Sequence, residues 1–168
     1  NYKKDSTSSV VTKENYHLDI QDNQAKYYIR DYFVADSLII NNIPFPVNMK
    51  LNPSTIVSHP LGKSTYNELD LLENTILKIQ TQDSQDWKLV DEKKQLGNLT
   101  VQKATTNWGG RNWTAWFAPE IPIHEGPHKF RGLPGLIVEL TDAKNNYHWT
   151  LAKSQKLEGK QNNSYLEM

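Results

Sequence analysis

Apolar and polar residues alternate with a period of two along much of this chain. Tyr16, Leu18 and Ile20 alternate with His17 and Asp19, and Tyr27 and Ile29 are flanked by Lys26 and Arg30. Successive side chains of a β-strand point to opposite faces, so each run predicts a strand with one apolar face. The same alternation recurs at Leu77 and Ile79, at Leu99 and Val101, and at Tyr147, Trp149 and Leu151. The expected fold class is mainly β, a curved antiparallel sheet or open half-barrel with little helix, forming a single domain over residues 1–168.

Turn chemistry refines that outline. In Asn107-Trp108-Gly109-Gly110-Arg111 the glycine pair supplies the positive φ values of a tight hairpin, predicting that Leu99–Thr106 pairs with Asn112–Ala118. Pro44, Pro46, Pro53 and Pro60 interrupt both helix and ladder, so Asp31 to Gly62 reads as an irregular crossing segment. The one predicted helix is short, near Asn67 to Asn74, around Leu69, Leu71 and Leu72. The first dozen residues and the stretch from Lys156 to Asn163 are polar and read as mobile ends.

The stretch from Trp113 to Leu140 packs aromatics, prolines and glycines between two strands. Trp113, Ala115 and Phe117 share one face and Thr114 and Trp116 the other, which predicts a central or covered strand ended by Pro119 and Pro122. In Gly132-Leu133-Pro134-Gly135, proline followed by glycine predicts a type II turn feeding a strand from Leu136 to Thr141. Phe130 and Leu133 are placed beneath that turn as a packed corner.

Gly132-Leu133-Pro134-Gly135-Leu136-Ile137 resembles the signature of the GLPGLI family. The resemblance extends back through Ala115 to Pro122, the Gly126-Pro127 pair, Lys103-Ala104 and Trp87-Lys88-Leu89, and to Tyr16 through Ile20. It implies a secreted protein of Bacteroidota, periplasmic or outer-membrane associated, with no established activity. It also implies that an N-terminal signal region and a C-terminal extension are missing, and that a cysteine often found in the family is replaced by Val101. The run of strands further resembles the curved sheets of periplasmic lipoprotein carriers. Asp5-Ser6-Thr7 and Asp36-Ser37-Leu38 resemble the O-glycosylation motif of that lineage.

Lysine and arginine number 19, as do aspartate and glutamate, so no basic field attracts nucleic acid. Mean hydropathy is −0.70, and apolar runs fall far short of the ~20 residues a membrane-spanning helix needs, so no transmembrane segment is expected. Without cysteine there is no disulfide, thiolate nucleophile or sulfur-ligated zinc. His124-Glu125-Gly126-Pro127-His128 spells the H-E-x-x-H pattern of zinc peptidases, but that chemistry needs a helix to bring both histidines to one face. Gly126 and Pro127 each cost a helix roughly 1 to 3 kcal/mol, so the pair reads as loop histidines.

No serine lies on a G-x-S-x-G elbow, and Asp19, Glu120, Glu139 and Asp142 are scattered acids at no defined separation. Trp108, at a hairpin tip, is the better candidate for an exposed binding ring, with Trp116 as the second. The reading is a non-enzymatic envelope protein without cofactor or metal that binds a lipid or other apolar ligand, or an outer-membrane or envelope protein partner. The alternatives are a zinc-dependent hydrolase using His124, Glu125 and His128, and a carbohydrate- or peptide-binding module using exposed aromatics.

Overall fold

The computed structural model describes residues 1–3, 9–49, 51, 56–73, 75–156 and 158. It divides the chain into two compact units, one built on Asn15–Gln82 and one on Asp83–Ser154 together with Asn1–Glu14. Each holds an open five-stranded antiparallel sheet whose neighbours in space are neighbours in sequence, so the protein is mainly β.

The Asn15–Gln82 unit contains β1 (Tyr16–Gln21), β2 (Gln24–Ile29), α1 (Arg30–Ile40), β3 (Val57–Pro60), β4 (Thr65–Leu72) and β5 (Thr75–Gln82). Strands β1 and β2 meet at Asp22-Asn23, whose φ values of 50° and 62° suit a two-residue hairpin that keeps the strand twist. Tyr28, Tyr32, Ile56 and Leu69 form one buried cluster, and Tyr27, Val57 and Tyr66 another.

Two sequence expectations are corrected here. The segment read as irregular opens with α1 and closes with β3, with Pro53 outside the described residues. The helix went unread because Ile29 at its start makes no side-chain cap bond, and its buried positions Tyr32, Ala35 and Asp36 include an acid. Its end does carry a signal: Asn42 takes φ 53°, its N–H donates to Ile39 O, and Ile43 N–H donates to Leu38 O, a Schellman closure followed by Pro44. The helix predicted near Asn67 to Asn74 is instead strand β4, with Asn74 outside the described residues. Its unbroken register with β5, from Thr65↔Gln82 to Leu72↔Thr75, overrides the helical spacing of the leucines.

The second unit contains β6 (Lys88–Leu96), β7 (Leu99–Trp108), β8 (Arg111–Ala118), β9 (Leu136–Asp142) and β10 (His148–Thr150). The hairpin predicted around Gly109-Gly110 is present, with Trp108 opposite Arg111 and φ values of 59° and 71° at the glycines. Strand β8 is central, between β7 and β9. Ala104, Trp113, Ala115, Phe117, Phe130, Leu133, Ile137 and Leu140 form its core. The polar start of the chain is not loose where described: Tyr2 bridges both Thr12 and Tyr147, and Lys3 N–H donates to Asn146 O at 2.8 Å. Of the polar tail, Lys156 and Glu158 are described and lack regular structure, and the rest of it to Asn163 lies outside the described residues.

Candidate functional site

The segment joining β8 to β9 folds back on itself through its own backbone. Ile121 N–H donates to Ala118 O at 3.1 Å, Gly132 N–H to His124 O at 2.9 Å, Leu136 N–H to Ile121 O at 3.1 Å and Ile137 N–H to Glu125 O at 3.0 Å. Phe130 and Leu133 are buried beneath this corner, as the sequence predicts, and so are Trp113, Phe117 and Leu136. Pro119, Pro122, Gly132 and Pro134 lie on its exposed side, and Pro127 is half-buried.

Two glycines are fixed by space. A Cβ on Gly135 would stand 2.3 Å from Ala118 O, and one on Gly126 would stand 2.7 Å from Phe130 O. The turn is not type II. Gly135 N–H donates to Leu133 O at 2.8 Å across Pro134, a three-residue γ-turn, and Gly135 has φ 157°. The tighter turn follows from the seat of Gly135 against Ala118, whose strand partner is the next residue, Leu136.

The His124–His128 segment is extended and then turns, with no helix. His124 is exposed and His128, at φ 56°, is half-buried, while Glu125 is buried and receives Arg131 Nε–H at 3.4 Å. Arg131 is itself stapled to the corner: its N–H donates to Gln85 Oε1 at 3.2 Å and its C=O accepts Trp87 Nε1–H at 2.8 Å. Among the described residues no group of three or more histidine, cysteine or acidic side chains is arranged to hold a metal ion.

The scattered carboxylates sit in separate networks. Asp19 accepts the Tyr28 hydroxyl, and Glu120 accepts the Thr100 N–H at 2.9 Å. Glu139 pairs with Lys94 at 2.8 Å and lies 3.4 Å from His148 Nε2. Asp142 is buried, pairs with Arg111 at 2.9 Å and accepts the N–H groups of Asn146 and Tyr147. Each closes a turn, a sheet edge or a cross-strand pair. The phenol of Tyr2, 3.3 Å from Glu14 Oε1, is held above the usual tyrosine range by burial and by that carboxylate.

The aromatic candidates are not a free platform. Trp108 is half-buried rather than exposed: its Nε1–H donates to Asp83 at 2.9 Å and its ring meets Phe130 edge-on at 4.8 Å. Trp116 is half-buried on the other sheet face, with Lys94 Nζ 4.2 Å above its ring and Lys103 Nζ at 5.8 Å. A cleft of about 340 Å³ lined by Lys93, Thr100, Val101, Gln102, Pro119 and Glu120 has a mixed, partly charged wall. Ser37 is exposed but lies on α1 rather than in a loop, and Asp5-Ser6-Thr7 lies outside the described residues.

What the sequence did not disclose is the state of the sheet edges. Strand β10 is met by the bridge from Tyr2 to Tyr147. Edge β6 carries Lys88, Asp91, Glu92, Lys93 and Lys94 and is broken by a register shift between Leu89 and Lys93. Edge β1 is shorter and carries His17 and Asp19. Edge β5 differs from all of these. It pairs with β4 through an unshifted register, carries a single charge at Lys78, and leaves Ile76, Leu77 and Ile79 exposed at 45%, 37% and 40%. Among the described residues no backbone hydrogen bond from Thr75–Gln80 leads outside the sheet.

A family model described as "Protein of unknown function (Porph_ging)" matches residues 109–139, a stretch that includes β8 and the whole corner. No curated protein matches. Among solved structures, PNGF-II in a C2 crystal form superimposes with a TM-score of 0.65 at 12% identity, over 92% of this chain and 27% of that one. The same protein in a P21 form gives 0.60 at 13% identity, over 89% and 26%. This chain therefore spans about a quarter of the length of that protein, and at such identity the likeness is one of fold alone.

Proposed function

We propose that this chain is a non-enzymatic envelope protein that binds a partner polypeptide by strand addition at β5. The observation that carries this reading is the condition of that edge. An unpaired strand edge presents a row of N–H and C=O groups, and proteins usually blunt it with charge, proline, bulges or cover. Strand β5 has one lysine, no proline and no register shift, while β6 has charges and a shift. Alternate residues of β5 turn their backbone groups away from β4, and an extended peptide laid beside them gains main-chain hydrogen bonds. Ile76 and Leu77, with Ile79, flank the strand on both faces and supply apolar contacts for its side chains.

An envelope location, periplasmic or at the outer membrane, belongs to the same proposal and rests on the likeness of Gly132–Ile137 to the GLPGLI signature. A partner is favoured over an enclosed apolar ligand because the cleft beside β7 is open and has Lys93 and Glu120 in its wall. A non-enzymatic role is favoured because Asp19, Glu120, Glu125, Glu139 and Asp142 each serve a structural bond.

Photo-crosslinking from Gln80 in intact envelopes tests the reading. A defined polypeptide is expected to crosslink there, and Lys78→Pro, which removes an outward N–H and places a ring on the open edge, is expected to abolish its binding without unfolding the chain. Crosslinking that survives Lys78→Pro, or that occurs from β1 or β6 but not from β5, contradicts it.

A further inference from the structure

The chemistry of a strand added at β5 is set by its neighbour β4. Residues directly opposite on paired strands share a face of the sheet. Leu77 is opposite Asp70 and Ile79 is opposite Glu68, so one face of this hairpin carries two aliphatic residues at the open edge and two carboxylates one strand behind them. Lys78, opposite Leu69, belongs to the other face. From Thr65 to Gln82 the charged residues are Glu68, Asp70, Glu73 and Lys78, so acids outnumber bases. Asp70 and Glu73 are exposed and Glu68 is half-buried. Glu68 accepts the Thr81 hydroxyl at 2.9 Å, a bond that leaves its charge in place.

An added strand lays side chains beside Leu77 and Ile79 on the carboxylate face. A purely apolar side chain there takes water from Asp70 and Glu68 and returns no bond to them. An acidic one adds like-charge repulsion. A lysine or arginine avoids both costs, because its stem packs on Leu77 or Ile79 while its head reaches past them to a carboxylate. The other sheet of this protein already contains that arrangement: Lys94 on β6 runs over Trp116 on β8, with Nζ 4.2 Å above the ring, and ends 2.8 Å from Glu139 Oε2 on β9. On the opposite face Lys78 disfavours a second cation, which directs a basic face toward Asp70 and Glu68.

We infer, on the basis of strand addition at β5, that the partner strand alternates basic with apolar residues and turns its basic ones to the face of Asp70 and Glu68. The main chain then supplies affinity common to any extended peptide, and the carboxylates behind Leu77 and Ile79 supply the choice among peptides.

The test uses the full chain and two end-blocked peptides of about ten residues, valine alternating with lysine in one and with glutamate in the other. Like charges keep each peptide from self-association, and binding is read by fluorescence anisotropy. At low salt the lysine peptide is expected to bind at least about fivefold tighter than the glutamate peptide. At about 1 M salt, where the screening length falls to about 3 Å, that ratio is expected to approach one. The Glu68→Gln/Asp70→Asn double variant, which keeps an amide oxygen for the Thr81 hydroxyl, is expected to bring the two peptides within about twofold of each other with far-UV circular dichroism unchanged. Should that pair disturb the fold, Asp70→Asn alone, at an exposed position, gives the same direction with a smaller change. Lys78→Pro is expected to abolish binding of both peptides. Equal affinities that Lys78→Pro abolishes, a lysine preference unchanged in both carboxylate variants, or a partner crosslinked from Gln80 while the lysine peptide fails to bind overturns the inference and leaves strand addition standing. Peptide binding that survives Lys78→Pro overturns strand addition as well.

Discussion

Replacing Gly135 by alanine tests the corner that gives the matched segment its shape. The added carbon would lie 2.3 Å from Ala118 O, 2.6 Å from Ala118 C and 2.9 Å from Pro119 N, all of them backbone atoms. Carbon atoms pack comfortably at about 3.5–4.0 Å, so β8 or the corner must withdraw by roughly 1 Å. Ala118 is held in the ladder opposite Leu136, and Leu136 N–H is bonded to Ile121 O, so the shift breaks pairing instead of turning a side chain. Overpacking of this kind costs about 1–3 kcal/mol, and the rigid surroundings put Gly135→Ala near the upper end, at about 3.

Gly126→Ala meets one backbone atom and the Ile137 side chain, which can partly yield, so about 2 kcal/mol is expected. Gly132→Ala meets nothing within 4 Å and pays only for its φ of 93°, about 1 kcal/mol. All five tryptophans lie between Trp87 and Trp149, so urea unfolding followed by tryptophan fluorescence reports the unit that contains the corner. With a slope of about 1.5–2 kcal/mol/M, 3 kcal/mol moves the midpoint down by about 1.5–2 M. A Gly135→Ala midpoint no lower than that of Gly132→Ala refutes the steric reasoning.

Other outcomes follow from the same structure. Glu125→Gln removes the charge facing Arg131 in a buried site and is expected to cost about 1–3 kcal/mol in the same unfolding assay, with zinc content unchanged by elemental analysis. Stoichiometric zinc in the wild type that is lost in this variant contradicts the structural role. Phe130→Ala, which vacates the space between Trp108 and Trp113 at 4.8 and 4.7 Å, is expected to cost about 3–5 kcal/mol in that assay, and a loss below 1 contradicts its place in the core. The raised Tyr2 phenol binds its proton more tightly folded than unfolded. It therefore adds stability below the ordinary tyrosine pKa, and that stability is lost as pH rises through the folded value. Tyr2→Phe is expected to remove one late-ionising phenol from an ultraviolet titration and to flatten the alkaline limb of stability; an unchanged titration contradicts it.

What could be read from sequence was local. The Gly109-Gly110 hairpin was legible because its glycines and the flanking alternation agree, and β8 was legible as central because it is apolar on both faces. The buried corner was legible from Phe130 and Leu133, but its turn type was not, since that depends on the distant approach of Ala118 to Gly135. Helix α1 was missed for want of a cap at Ile29, and β4 was mistaken for helix because pairing with β5 outweighs leucine spacing. Trp108 was expected in solvent, and only the fold brings Asp83 and Phe130 to it. Whether a strand lies at an edge is a property of topology, so the open side of β5 left no local mark beyond its shortage of charge.

Residue-resolved amide hydrogen exchange across Thr75–Gln82 tests the central claim most directly. In the free chain, amides should alternate between slow exchange, where they face β4, and fast exchange, where they face outward. Addition of the polypeptide captured from Gln80 should slow the fast set alone. Uniform protection of β5 in the free chain, or fast amides that stay fast in the complex, would contradict strand addition at this edge.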